Sequence, residues 1–273
     1  MAYDTIGSIV ILKFQEKKTK KEKLIVARKI LEEHKNIKTI LEKIEKVSGK
    51  LRVLKVKYLA GKKTTETIHK ESGCIFKLDV AKCYFSPRLS NDRLEIAKRI
   101  KQGKVLCLFS GLAPYPIIIA KKTSASKIIA IELNKFCQHY AKENKILNKI
   151  GDKLELIQGD VRKVIPKLKE NRKILEKLEI LGPRKSGDFR GFDYIVMTRP
   201  QLKDTFLKAA LKASKKGTII FYHGFAKNIE EIKKEILKDV KKSRKKIKFL
   251  EYWKNGDISP YKHRFTVVFK IKN

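Results

Sequence analysis

The chain has 273 residues, 42% of them hydrophobic, which suits one large domain or two modest ones and excludes a disordered polymer. Lys and Arg number 66 against 29 Asp and Glu, a formal charge of +37, and such a field attracts polyanions, so nucleic acid is the expected partner over a small acidic substrate. A Lys-rich proteome accounts for part of that excess. There is no run of about 18 apolar residues and no signal-type start, so no membrane partner is expected and a cytoplasmic protein is.

Residues 6–14, IGSIVILKF, alternate as a strand does, and 21–34 carry a helical period. TILEKI from Thr39 and RVLKVKYLAG from Arg52 read as further strands, and 64–80 as a hairpin turning at Ser72-Gly73. Together, residues 1–84 are expected to form a small α+β accessory domain that binds RNA. From residue 91 helices and strands alternate. The strands are 104–109, 127–132, 154–159, 192–198 and 217–223, separated by helices 91–101, 116–122, 134–148, 162–178, 203–215 and 227–242. Strands near 247–253 and 264–271 end the chain as an antiparallel pair. This grammar predicts an α/β, doubly wound, Rossmann-like sheet of the class I methyltransferase type over 85–273, with ligands at the carboxyl ends of its strands. The segment 171–191, ending GPRKSGDFRG, reads as a basic surface insertion.

The four cysteines, Cys74, Cys83, Cys107 and Cys137, show no C-x-x-C spacing, so they read as buried thiols and no metal site is expected. The chemistry is sought at the strand ends. VLCLFSGLAPYP, from Val105 to Pro116, gives a strand, a turn containing Phe109, Gly111 and Ala113, and a helix opened by proline, but no G-x-G-x-x-G. Glu132 ends the next strand, where an acid can accept ribose hydroxyls, and Asp160 ends the third, where an acid can reach an adenine amino group. Each alone is equally what a helix cap or first-turn carboxylate looks like. Together they favour an adenosine ligand, and the missing glycines favour S-adenosylmethionine over a pyrophosphate cofactor. Thr198-Arg199-Pro200 ends the fourth strand. FSPRLSNDR, from Phe85 to Arg93, is a second dense stretch, although Asp92 and Arg93 also fit a plain helix start.

TETIHKESGC from Thr65 and YFSPRL-x-x-DR from Tyr84 resemble the archaeal tRNA (guanine-N1-)-methyltransferases that modify guanosine 37 beside the anticodon. The likeness runs from Tyr3-Asp4-Thr5-Ile6-Gly7 through HKNIKT and Leu59-Ala60-Gly61 to Ser259-Pro260-Tyr261, and looks like the form without the additional amino-terminal domain. It implies a tRNA substrate, S-adenosylmethionine as cofactor and a monomer. It implies Asp92 as the base for guanine N1, standing where the family has glutamate, and Arg52 as the cation beside O6. It puts Arg93, Glu132, Leu133, Asp160 and Val161 on cofactor positions. Thr198, where the family has asparagine, would face both cofactor and base. Phe109, Gly111 and Ala113 complete the cofactor set, and Arg88 and Arg199 are the expected substrate contacts. Cys107 and Ala113 replace an aspartate and a glycine, which opens the alternative of a tRNA-binding paralogue without activity. The sister aminocarboxypropyl transferase of the wyosine pathway is the other alternative, and Arg88 after F-S-P favours methyl transfer.

Overall fold

The structure is a computed structural model, and it describes residues 2–14, 18–44, 53–170, 175, 176, 189 and 191–273. Arg52 and most of the 171–191 segment lie outside the described residues. The stretch read as one strand, 6–14, is instead the heart of a hairpin: β1 (Ala2–Ile6) and β2 (Ile9–Lys13) pair antiparallel about Gly7-Ser8. Gly7 has a φ of +56°, and a Cβ there would collide with the Ile68 carbonyl and the Thr67 hydroxyl. Only glycine serves both demands. α1 (Lys20–Glu33) begins with a capping box of Thr19 and Glu22, and β3 (Thr39–Lys43) and β4 (Val56–Gly61) complete a four-stranded sheet in the order β1-β2-β3-β4.

The expected hairpin is β5 (Glu66–Glu71) and β6 (Cys74–Asp79), turning where Ser72 and Gly73 both take positive φ, as a two-residue turn requires. It ties the small sheet to the rest. Ser8 N–H donates to the Thr67 hydroxyl at 2.9 Å on one side, and on the other Asn144 and Asn148 satisfy the backbone of Lys77 and Ile75.

A short 3-10 turn, Pro87–Leu89, leads into α2 (Ser90–Arg99) and the large sheet. In chain order this contains β7 (Gly103–Leu108), α3 (Pro114–Lys122), β8 (Ala125–Glu132), α4 (Lys135–Leu147), β9 (Leu154–Gln158), α5 (Val161–Glu170) and β10 (Phe192–Met197). It continues with α6 (Leu207–Ala213), β11 (Ser214–Ala226), α7 (Ile229–Lys242), β12 (Ile247–Ser259) and β13 (Lys262–Ile271). Seven strands run in the order β12-β13-β11-β10-β7-β8-β9. All neighbours from β11 to β9 are parallel, and β13 joins β11 and β12 antiparallel, as the sequence pattern predicts. β7 and β8 are buried on both faces because α3 and α4 cover one side and α5 and α6 the other, which is why VLCL and IIAI read as unbroken apolar runs. From β7 the chain steps to β8 and β9 on one side and later returns to β10 on the other, so the topological switch point lies between β7 and β10.

Candidate active site

A cavity of about 430 Å³ opens at that switch point. Its wall is made from the carboxyl ends of five parallel strands: Phe109, Ser110 and Gly111 after β7, Glu132 and Leu133 at β8, Gly159, Asp160 and Val161 after β9, Thr198 and Arg199 after β10, and His223 in β11. Tyr84, Phe85 and Arg93 close it from the segment before the sheet. The size and the mostly apolar wall with a few polar groups suit a nucleoside-sized ligand.

Gly111 takes a φ of +58° in the turn after β7, and its N–H donates to Glu132 Oε2 at 2.7 Å. Glu132 Oε1 accepts from Asn134 N–H at 2.7 Å. Its carboxylate thus braces the first loop against the second while keeping lone pairs toward the cavity. Burial pushes the Glu132 carboxyl above its ordinary range, and the backbone N–H groups of Asn134, Gly111 and Leu133 only partly offset this. Ser110 Oγ, in the same turn, is buried with no hydrogen-bond partner, and a rotation of that hydroxyl would offer it to a polar ligand. These groups, with Asp160 at the next strand end, fit an adenosine-containing cofactor. Asp160 is held below the usual carboxylate range by its hydrogen bond to Arg162, whose Nη2 lies 2.5 Å from Oδ2.

The expected proton acceptor, Asp92, sits elsewhere. It is 2% exposed on the inward face of α2, and it is absent from the residues that wall the cavity. Oδ1 accepts from Trp253 Nε1 at 2.8 Å, Asn255 Nδ2 at 2.9 Å and Thr266 Oγ1 at 2.6 Å, while Oδ2 accepts from the Tyr115 hydroxyl at 2.6 Å and lies 3.0 Å from His223 Nε2. Burial alone would raise this carboxyl, but the charge and hydrogen bond of His223, with the Thr266 and Tyr115 hydroxyls, overrule it and hold Asp92 far below the carboxylate range. A carboxylate has about four lone-pair sites, so five donors saturate it. It stands as an anion with no vacant site for a substrate proton.

Arg93, next on the helix, is 1% exposed and lies against the cavity. Its guanidinium forms a two-point pair with Glu71, at 2.5 and 2.6 Å, and stacks over Phe85 and Tyr115. Arg199, expected to reach substrate, gives its N–H groups to the carbonyls of His223, Leu202 and Asp204 and to Glu235, so it fastens the loop after β10 to β11 and α7. Thr198 likewise turns its hydroxyl back to the carbonyls of Leu108 and Phe109. Ala113 is fully buried with a left-handed φ of 68° at the start of α3, behind the wall rather than on it. Arg88 is exposed and pairs with Asp4 at 2.7 Å, bridging the 3-10 turn to β1 away from the cavity. Sequence reading missed His223, Trp253, Asn255 and Thr266. His223 was legible as a histidine near the carboxyl end of a parallel strand, whereas the other three carry no local signal in the terminal hairpin.

Residues 67–181 match the family model described as the TRM5/TYW2 methyltransferase domain, and residues 1–64 match the TYW2 N-terminal domain. Taw22 of Nanoarchaeum equitans, a tRNA (guanine(37)-N(1))/4-demethylwyosine(37)-methyltransferase, is 33% identical over 298 residues covering 98% of both chains. The chain belongs to the TRM5/TYW2 family. Trm5b of Pyrococcus abyssi, a tRNA (guanine(37)-N(1))-methyltransferase, is 35% identical over 225 residues, but this match takes 82% of the chain and only 60% of that relative. Among solved structures, M. jannaschii TYW2 in complex with AdoMet superimposes with a TM-score of 0.66 at 26% identity, covering 99% of this chain and 100% of that one. The expectation of a form lacking the extra amino-terminal domain is therefore corrected, and the guanine-N1 family expected from the resemblance widens to the joint TRM5/TYW2 family. Tyr3 to Gly7, HKNIKT and Leu59-Ala60-Gly61, which carried the likeness to that form, all fall in the stretch that matches the TYW2 N-terminal domain.

Proposed function

We propose that this TRM5/TYW2 member methylates guanine N1 at position 37 of tRNA, with S-adenosylmethionine as methyl donor. The observation that carries the reading is the switch-point cavity with Glu132, Asp160 and the unpartnered Ser110 hydroxyl on one wall, in a chain of formal charge +37. The likeness to Taw22 along both whole chains supports a methyl over another alkyl group.

When bound, the cofactor supplies an electrophilic methyl group on a sulfonium. Glu132 holds the ribose end through the lone pairs left by Gly111 and Asn134, Asp160 receives the adenine amino group, and Phe109, Leu133 and Val161 supply the apolar wall. Thr198 and Arg199 act by fixing the loops on either side of the reacting centre. The four-stranded sheet and its hairpin form an accessory unit for the tRNA body, with Arg88 at its junction with the larger sheet. Guanine N1 bears a proton and is a poor nucleophile until a base removes it, and RNA loops present such bases unstacked.

A second reading, aminocarboxypropyl transfer, has its own observation. Residues 1–64 match the TYW2 N-terminal domain, and a tRNA(Phe) (4-demethylwyosine(37)-C(7)) aminocarboxypropyltransferase of Methanocaldococcus jannaschii is 34% identical over 173 residues, 63% of this chain. Incubating the full chain with labelled S-adenosylmethionine and unmodified tRNA, followed by nucleoside mass spectrometry, separates the two. The first reading expects 1-methylguanosine at position 37. An aminocarboxypropylated nucleoside supports the second, and a tRNA that binds unchanged points to a paralogue without activity.

A further inference from the structure

We infer that His223 is the catalytic base that takes the N1 proton, and that Asp92 is its positioning residue. The inference rests on the proposed methyl transfer to guanine N1. His223 lies on the cavity wall, 2% exposed, while Asp92 stands behind it. Its Nε2 meets Asp92 Oδ2 at 3.0 Å, and its ring lies edge-on to Tyr115 with centroids 5.8 Å apart, so its orientation is fixed on two sides. Asp92 is an anion with every lone pair occupied, so the proton of a neutral imidazole is drawn to Nε2 and the basic lone pair is left on Nδ1. Nδ1 has no hydrogen-bond partner among the described residues and is not one of the side-chain atoms sealed without one.

The cavity's carboxylates and the Tyr115 hydroxyl have other tasks, the free lone pairs of Glu132 being those assigned to the ribose. Asp160 and Asp204 both face Arg162, at 2.5 and 3.4 Å. Glu132 braces two backbone N–H groups, and the Tyr115 hydroxyl donates to Asp92, with burial pushing that phenol well above its usual range. In the step itself the N1–H bond breaks, its electron pair stays on guanine N1, and the proton forms an N–H bond at Nδ1. The resulting imidazolium is neutralised by Asp92, and the N1 pair is free to accept the methyl group of the sulfonium donor, whose carbon–sulfur bond breaks to leave a thioether.

The test is single-turnover formation of 1-methylguanosine by the full chain on unmodified tRNA. His223→Gln keeps an amide donor toward Asp92 but has no basic atom, and the expected result is a loss of about 100-fold or more in the single-turnover rate. Cofactor and tRNA dissociation constants should stay within about threefold, because no binding group has been removed. His223→Ala is expected to recover about tenfold or more of its lost rate in added imidazole, a gain that a merely structural histidine does not give. A His223→Gln enzyme within about fivefold of the native rate, or a His223→Ala enzyme indifferent to imidazole, overturns His223 as the base. Failure of the underlying reading is seen separately, in the native chain: if it forms no 1-methylguanosine, both fall before any variant is made.

Discussion

Asp92, sealed behind the cavity, and Glu132, half-buried on its wall, are two carboxylates that the protein drives in opposite directions. Asp92 receives five side-chain donors from α3, β11, β12 and β13, one of them a histidine that can carry charge, and its carboxyl is pulled down. Glu132 receives backbone N–H groups alone, and burial wins, so its carboxyl is pushed up. Although Asp92 is the deeper of the two, it is the one pulled down, because it has side-chain donors and a histidine where Glu132 has backbone N–H groups. The first is a fixed charge that orients its neighbours. The second is a carboxylate held at a cost, which a ligand with paired hydroxyls would relieve.

The strongest way to break the contrast is Asp92→Ala. It strands the Trp253, Asn255, Thr266 and Tyr115 donors and removes the counter-charge of His223, so a loss of about 3–5 kcal/mol in stability is expected. In a chain of this size that lowers the thermal midpoint by roughly 10 °C. The sign of the pH dependence follows from the two shifts. Asp92, with its folded value depressed, contributes stability that is complete above about pH 4 and is lost as pH falls through its folded value. Glu132, with its folded value raised, does the reverse: its contribution is greatest below about pH 4 and is lost as pH rises through its folded value. Urea unfolding of native protein and of Asp92→Ala between pH 3 and 7 should therefore show a shallower acid limb in the variant. Parallel limbs would mean that Asp92 is not the anion described.

Glu132→Ala sharpens the other half. It removes a half-buried charge and frees the N–H donors of Gly111 and Asn134, so stability should move by less than about 1 kcal/mol. Cofactor binding should instead weaken by about 10–100-fold in calorimetry, since hydrogen bonds to a charged group are worth roughly 1.5–3 kcal/mol. An unchanged affinity would reduce Glu132 to a brace between two loops.

Arg88 supplies the exposed counterpart of these charges. Its pair with Asp4 is solvated, the arginine side chain being 67% exposed, so Arg88→Ala should cost at most about 0.5 kcal/mol in stability. If the arginine touches tRNA, the variant's tRNA affinity should fall several-fold and with a shallower salt dependence, by about one counterion. No change in either would leave it as a surface ion pair.

The strand ends were readable because parallel strands buried on both faces leave long apolar runs, and the residue following each run is placed by topology. Glu132, Asp160 and Thr198 were found that way. Asp92 was placed in contact with substrate by the family resemblance, while its neighbours in sequence read only as a helix start. The residues that saturate it lie 23 to 174 positions away, and no local period announces them. The Gly7-Ser8 turn was missed for a related reason. Its glycine is required by the approach of the β5–β6 hairpin, a contact some 60 residues distant, while the flanking apolar residues read as one strand. Arg52 and most of the 171–191 segment lie outside the described residues, so their expected roles rest on sequence alone.

The loop that Glu132 braces has one position where effects nearly cancel. Ala113 holds a left-handed φ of 68°, which for a residue with a Cβ costs about 1–2 kcal/mol. Ala113→Gly removes that strain. It also frees the unfolded chain, a loss of about 0.4–1 kcal/mol, and gives up a buried methyl worth about 0.8 kcal/mol. The sum leaves the variant within about 0.5 kcal/mol of the native protein, in a core site where the methyl and entropy losses alone would predict well over 1 kcal/mol of damage. Denaturant melts resolve the two cases. A loss above about 1.5 kcal/mol would show that the turn carries no strain, and would remove backbone conformation as the reason glycine suits this place in the loop.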